Sequence, residues 1–166
     1  MYPYARLAAH LLRARRAAPV GPFDTVVTRH LLLPWDIDPW GELNNGRALT
    51  LYDIGRIVYF RRTGLSHVAT RRRWAPVVAG LSIRYRRRMH VFQRFETRTR
   101  FLGWDPRFFY IEQGMWRAGE CCSHVLIRFA LTGRDGRVPV TDVAREMGIH
   151  TVCFWPDYHF DHPGID

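Results

Sequence analysis

Lysine is missing from this chain. All 25 basic residues are arginine, set against 15 acids for a net charge of +10. A surplus of that size concentrates anionic partners near the surface, whether nucleic acid, acidic lipid or a phosphate-bearing metabolite. Exclusive use of arginine also fits codon bias in a GC-rich genome, so the charge is a hint and not a binding code. Paired aromatic and basic motifs that stack bases are absent, so nucleic acid is not the expected partner. Cysteine is scarce: Cys121 and Cys122 are adjacent on an apparent strand and point to opposite faces, and Cys153 stands alone, without a C-x-x-C pair. No disulfide framework follows, and a reducing cytoplasm is the expected compartment. His159, Asp161 and His162 lack a recognised ligand spacing, which predicts a solvated tail and no metal. No run approaches the roughly 18 apolar residues of a membrane span. Residues 1–22 hold no acid at all.

What is present suits one folded domain over residues 1–166, with 47% hydrophobic and 14% aromatic residues. Residues 1–22 place Leu7, Ala8, Leu11 and Leu12 on one helical face among five Arg or His side chains. The reading adopted is a basic N-terminal helix or arm laid on its own domain or on a sister subunit. A membrane-surface anchor and a transit peptide are the alternatives. Residues 25–33 read as a strand ended by Pro34. From Asn44 or Asn45 to about Thr63 the chain reads as a helix, capped by Asn and stopped by Gly64. Ala48, Leu51, Tyr52, Ile54, Val58 and Phe60 cover nearly its whole circumference, so it is buried. After an arginine-rich connection, Val77, Ala79, Leu81, Ile83 and Tyr85 alternate with polar residues as a half-buried strand. Three more strands follow, around 95–101, 108–116 and 123–131, with turns at Gly103-Trp104-Asp105-Pro106, at 117–120 and at Asp135-Gly136. A short helix over 140–148 precedes an irregular end, and 133–166 reads as a C-terminal extension. One strand, one long buried helix and four antiparallel strands make an α+β architecture.

The stretch Asp36-Ile37-Asp38-Pro39-Trp40-Gly41-Glu42-Leu43-Asn44-Asn45 stands at the mouth of the buried helix. This D-x-D-P-x-G-x-x-N-N signature, with Tyr52-Asp53-Ile54-Gly55-Arg56 on the helix, resembles the hot-dog fold acyl-CoA thioesterases of the 4-hydroxybenzoyl-CoA thioesterase type. The likeness covers roughly residues 24–132. It implies a curved antiparallel sheet of about five strands wrapped round the central helix. It implies too a homodimer or homotetramer with active sites between subunits, and an acyl-CoA or acyl-carrier-protein substrate without a cofactor. Two positions depart from the pattern: many relatives have His at Glu42 and an aromatic residue at Ala48.

Thioester hydrolysis needs a carboxylate that attacks the carbonyl or takes a proton from water, and donors for the developing oxyanion. By position the resemblance assigns the carboxylate to Asp38 and the donors to the backbone amides of Asn45 and Gly46, helped by the positive end of the helix dipole. Asp36, Gly41, Glu42, Asn44 and Arg47 are the expected substrate-binding surroundings. Asp53 is a further candidate acid, or else an ion-pair partner of Arg56 or Arg47. Arg71, Arg72, Arg73, Arg84, Arg86 and Arg88 are candidates for coenzyme A phosphates or a solvated face. The alternatives are a non-catalytic acyl or coenzyme A binder of the same fold and a hydratase or dehydratase.

Overall fold

A computed structural model describes residues 2–149; Cys153, His159, Asp161 and His162 lie outside the described residues. Helix α1 (Tyr4–Arg16) ends on Arg13, Arg15 and Arg16, which suit the negative end of its dipole. Strand β1 (Val26–Leu31) leads to a 3-10 turn at Pro34–Asp36. Helix α2 (Asn45–Arg62) starts at Asn44, whose side chain accepts the Arg47 amide at 3.0 Å. Gly64, at φ +85°, then turns the chain into helix α3 (Leu65–Arg72). Sequence alone shows only a basic connection there, because so short a segment with so few apolar residues gives too weak a period to recognise.

Four long strands follow: β2 (Ala75–Tyr85), β3 (Arg94–Trp104), β4 (Phe109–Arg117) and β5 (Glu120–Gly133). The two-residue β6 (Gly136–Arg137) folds back on β5, and α4 (Val140–Glu146) closes the described chain. The sheet runs β1-β3-β4-β5-β2 with every pairing antiparallel. β3 passes through a bulge at Gly103 and ends at Trp104, inside the stretch expected to turn. The turn itself is held by the Asp105 carboxylate, which accepts the amides of Arg107 and Phe108.

α2 lies on the concave face of this sheet and buries Leu51, Tyr52, Ile54, Val58 and Tyr59 against Phe95, Ile111, Met115, Val125 and Ile127. The expected α+β architecture, a long helix inside a curled antiparallel sheet, is the one observed. Midway along the helix the core turns polar: the Gln113 side-chain amide donates to the Tyr52 carbonyl at 2.9 Å and to the Thr99 hydroxyl at 2.8 Å. Gly55 faces this cluster. A methyl group there would stand 3.1–3.3 Å from Thr97, Gln113 and Thr99, so close approach explains a glycine that otherwise weakens a helix.

Two expected faces are corrected. β2 is an edge strand, and a bulge between Val78 and Gly80 shifts its phase, so Val78, Leu81, Ile83 and Tyr85 share a face and Val77 and Ala79 leave it. That face is open: Val78, Leu81 and Tyr85 are all more than 40% exposed. On α1 the buried side carries Leu7, His10 and Ala14, while Ala8 and Leu12 face outward. Hydrophobicity alone misses this face because a histidine occupies its centre.

His10 packs on His30 of β1 with ring centroids 4.6 Å apart, and His30 stacks on Phe95. Burial, then His10 and Arg6, push the His30 imidazole down to about 3. Burial, with Arg13 and Arg6, also lowers His10. At His30 the unfolded chain therefore takes up a proton from about pH 6.5 downward while the folded chain resists until about pH 3, and His10 acts in the same direction. Melting temperature should fall as pH drops through this window, and His30→Gln should flatten the slope whatever its effect at pH 8. An unchanged slope in that variant, measured by calorimetry, would remove His30 from the acid response.

Candidate functional site

The loop before α2 is built as a chain of backbone and carboxylate bonds. The Asp38 amide donates to the Glu42 carbonyl at 2.8 Å and the Gly41 amide to the Asp38 carbonyl at 3.0 Å, with Gly41 at φ +79° completing the turn. Asp38 Oδ1 accepts the amides of Trp40 and Glu42, at 3.0 and 3.1 Å. Its Oδ2 accepts nothing among the described residues, so the carboxylate is oriented through one oxygen and open at the other.

Asp36 points inward. It is 0% exposed, with Oδ2 accepting from Arg6 at 2.7 Å and from the Leu33 amide at 3.0 Å, and Oδ1 lying 3.3 Å from Arg47 Nε. A carboxylate so enclosed ties the loop to α1 and α2. Its carbonyl also accepts the Asn44 amide at 3.0 Å, which seats the helix cap.

At the tip of α2 the Arg47 amide is taken by the Asn44 cap and the Ala48 amide by the Asn44 carbonyl. The amides of Asn45 and Gly46 donate to no group among the described residues. They are the orphan donors that every helix start leaves, at its positive end.

Two cavities flank this tip. One, of about 470 Å³, is lined by Tyr2, Trp35, Ile37, Asn44, Gly46, Arg47 and Thr50. The other, of about 310 Å³, takes Glu42 and Asn45 with Tyr85, Arg86, Arg88 and Ser123 among its walls. Of the expected substrate-binding residues, Asn44, Arg47 and Glu42 thus reach a cavity, whereas Gly41 serves the turn. Glu42 pairs with Arg88 at 2.9 Å. Asp38 lines neither cavity.

The basic candidates separate. Arg71 and Arg72 pair with Glu146, away from the tip. β2 ends at Tyr85, and Arg86 and Arg87 turn to give both amides to the Cys122 carbonyl, which brings Arg86, Arg87 and Arg88 to the second cavity. Asp53 is ion-paired with Arg56 and accepts the Tyr2 hydroxyl at 2.7 Å, so both of its oxygens are engaged.

Three residues of the site lie beyond the sequence reading. Tyr85 donates to the Asn45 carbonyl at 3.3 Å, and burial raises its phenol so that it stays a neutral donor. Ser123 shares a 2.7 Å hydrogen bond with Tyr52, whose phenol burial also raises. His90 pairs with Glu42 across a short bridge, and its Nδ1 lies 3.1 Å from the Gly41 carbonyl. A histidine therefore stands beside the loop although the motif lacks one. Only the antiparallel return of the chain brings it there, and no local spacing signals that.

Comparison with known proteins bears on this geometry. Residues 32–147 match the family model described as the Thioesterase-like superfamily. The chain is 41% identical over 83 residues to Protein THEM6 of Xenopus laevis, a stretch covering 50% of this chain and 40% of that protein. It thus spans well under half the length of that curated relative. Among solved structures, the YbaW probable thioesterase of Escherichia coli superposes with a TM-score of 0.69 at 17% identity, over 74% of this chain and 96% of that one. A thioesterase from Thermus thermophilus, complexed with coenzyme A and Zn, superposes with a TM-score of 0.64 at 22% identity, over 77% and 93%. At such identities the structures establish a shared fold. Taken with the family match over residues 32–147, they lead to one assignment: the chain belongs to the Thioesterase-like superfamily.

Proposed function

We propose that this chain hydrolyses acyl thioesters of coenzyme A or of an acyl-carrier protein. The observation that carries the reading is the pair of open amides at Asn45 and Gly46, set between two cavities at the positive end of a buried helix. A thioester carbonyl seated there would have its oxygen on those amides. Asp38 Oδ2 would attack the carbonyl carbon, or take a proton from the water that does, and the thiolate would leave as the carbonyl re-forms; after direct attack, water would then cleave the acyl-Asp38 anhydride to release the acid and restore the carboxylate. Arg86, Arg87 and Arg88 suit the phosphates of coenzyme A, the molecule bound by the Thermus thermophilus thioesterase.

The same fold also admits an acyl or coenzyme A binder without turnover. Asp38 favours that reading to the extent that one oxygen is committed to its own turn and neither cavity touches it. Thiol release from a panel of acyl-CoAs separates the two. Asp38→Asn should lower kcat about 10²–10⁴-fold. Binding of coenzyme A with no thiol release from any substrate would leave the binder.

A second variant isolates the oxyanion donors. Asn45 is the first helical residue, where proline is welcome, and Asn44 before it is extended at φ −60°, ψ 134°, as a residue preceding proline prefers. Asn45→Pro therefore deletes one amide hydrogen while keeping the helix. Its expected signature is an unchanged melting temperature with kcat down about 10²–10³-fold. Full activity would take the Asn45 amide out of the reaction.

The open edge of β2 supports a homodimer in which two sheets join. Among the described residues its outer backbone groups lack a strand neighbour, and Val78, Leu81 and Tyr85 present apolar surface beside them. Light scattering should give a dimer or tetramer mass, and Leu81→Arg should shift it to the monomer. A monomeric parent protein at micromolar concentration would end this part of the proposal.

A further inference from the structure

A cavity larger than either of those at the helix tip lies elsewhere. It holds about 640 Å³ between α1 and the ends of β1 and β3, with Arg6, His10, Arg13, Arg29, His30 and Arg94 in its walls, joined by Glu96 and Trp116. Its charge is one-sided. Arg6 is balanced by Asp36, and Glu96 by Arg98. Arg13, Arg29 and Arg94 are exposed and have no ion pair among the described residues.

Three of the lining residues also bury a nitrogen that finds no hydrogen-bond partner among the described residues: Arg6 Nη1, His30 Nδ1 and Trp116 Nε1. Arginine and indole nitrogens can only donate. His30 is 6% exposed, and its Nε2 lies 2.9 Å from the Thr28 hydroxyl. With that hydroxyl donating to Nε2, Nδ1 bears the proton and is a third unsatisfied donor. Uncompensated guanidinium groups at the mouth, over residues with unsatisfied donors, favour an acceptor-rich anion.

We infer that this cavity is a second binding site, separate from the helix tip, for a phosphate-bearing ligand recognised by Arg13, Arg29 and Arg94 above the His10–His30 pair. Phosphate fits better than carboxylate because three guanidinium groups can share its charge and its several oxygens. The inference is independent of thioester hydrolysis. The groups facing the two imidazoles are Arg6, Arg13, Arg29, Arg94 and Glu96, so the local balance is positive until an anion enters.

The test uses the parent chain and inorganic pyrophosphate, titrated at constant ionic strength set with chloride. Saturable binding by calorimetry is expected, with the ring resonances of His10 and His30 moving and their titration midpoints rising, since an adjacent anion favours the protonated ring. Arg29→Gln with Arg94→Gln, both on exposed positions, should weaken binding at least about tenfold. Absence of saturable binding to both pyrophosphate and phosphatidic acid vesicles, or equal affinity in that double variant, overturns the inference. So does movement of His90 without His10 and His30, which would put the phosphate among Arg86, Arg87 and Arg88 instead. A parallel arm with phosphatidic acid in phosphatidylcholine vesicles identifies the source. Variant-sensitive vesicle binding assigns a lipid headgroup and pyrophosphate binding alone assigns a soluble ligand, and either supports the phosphate site.

Discussion

One carboxylate, Asp36, joins the parts of the molecule that make the helix tip. It is wholly enclosed, and an enclosed carboxylate is costly unless ion pairs and hydrogen bonds replace its water. Here Arg6 comes from α1, Arg47 from α2, the Leu33 amide from the end of β1, and the Asp36 carbonyl in turn takes the Asn44 amide. Separate segments are thereby fixed against a single residue. The Asn44 cap, and with it the open amides of Asn45 and Gly46, inherit their place from that knot.

Much of this was legible in the sequence, and the reason differs by feature. α2 declares itself through apolar residues on every side, and the strands after it through their period of two, because burial on all faces or on one face writes directly into residue order. The D-x-D-P-x-G-x-x-N-N spelling likewise locates the loop. What the spelling cannot distinguish is which of two aspartates turns inward. They share one short loop, yet Asp36 meets arginines brought from α1 and α2, while Asp38 stays in its own turn. The same limit hides His90, Tyr85 and Ser123: each reaches the tip through sheet pairing or chain return, and none leaves a local pattern. The bulge in β2 is a third case, since one extra residue reverses the faces downstream without altering the composition.

The apolar edge of β2 and the polar middle of the core are consequences of one layout. The backbone of α2 runs nearest to β1 and β3, the far side of the sheet from β2. Apolar side chains at β2 are consequently left exposed among the described residues, whereas the Gln113 and Thr99 cluster lies where Gly55 lets the helix come close. A helix that approached β2 as closely would bury that edge.

The cavity under α1 stands in a definite relation to the knot. Arg6 belongs to both, but its Nη2 already serves Asp36 and the Leu31 carbonyl. An incoming anion that drew Arg6 wholly to itself would strip a buried carboxylate of one of its two cations, and breaking such a pair typically costs about 3–5 kcal/mol. Recognition therefore has to come from guanidinium groups with no acid of their own, Arg13, Arg29 and Arg94. Arg6 contributes only the Nη1 that Asp36 does not use.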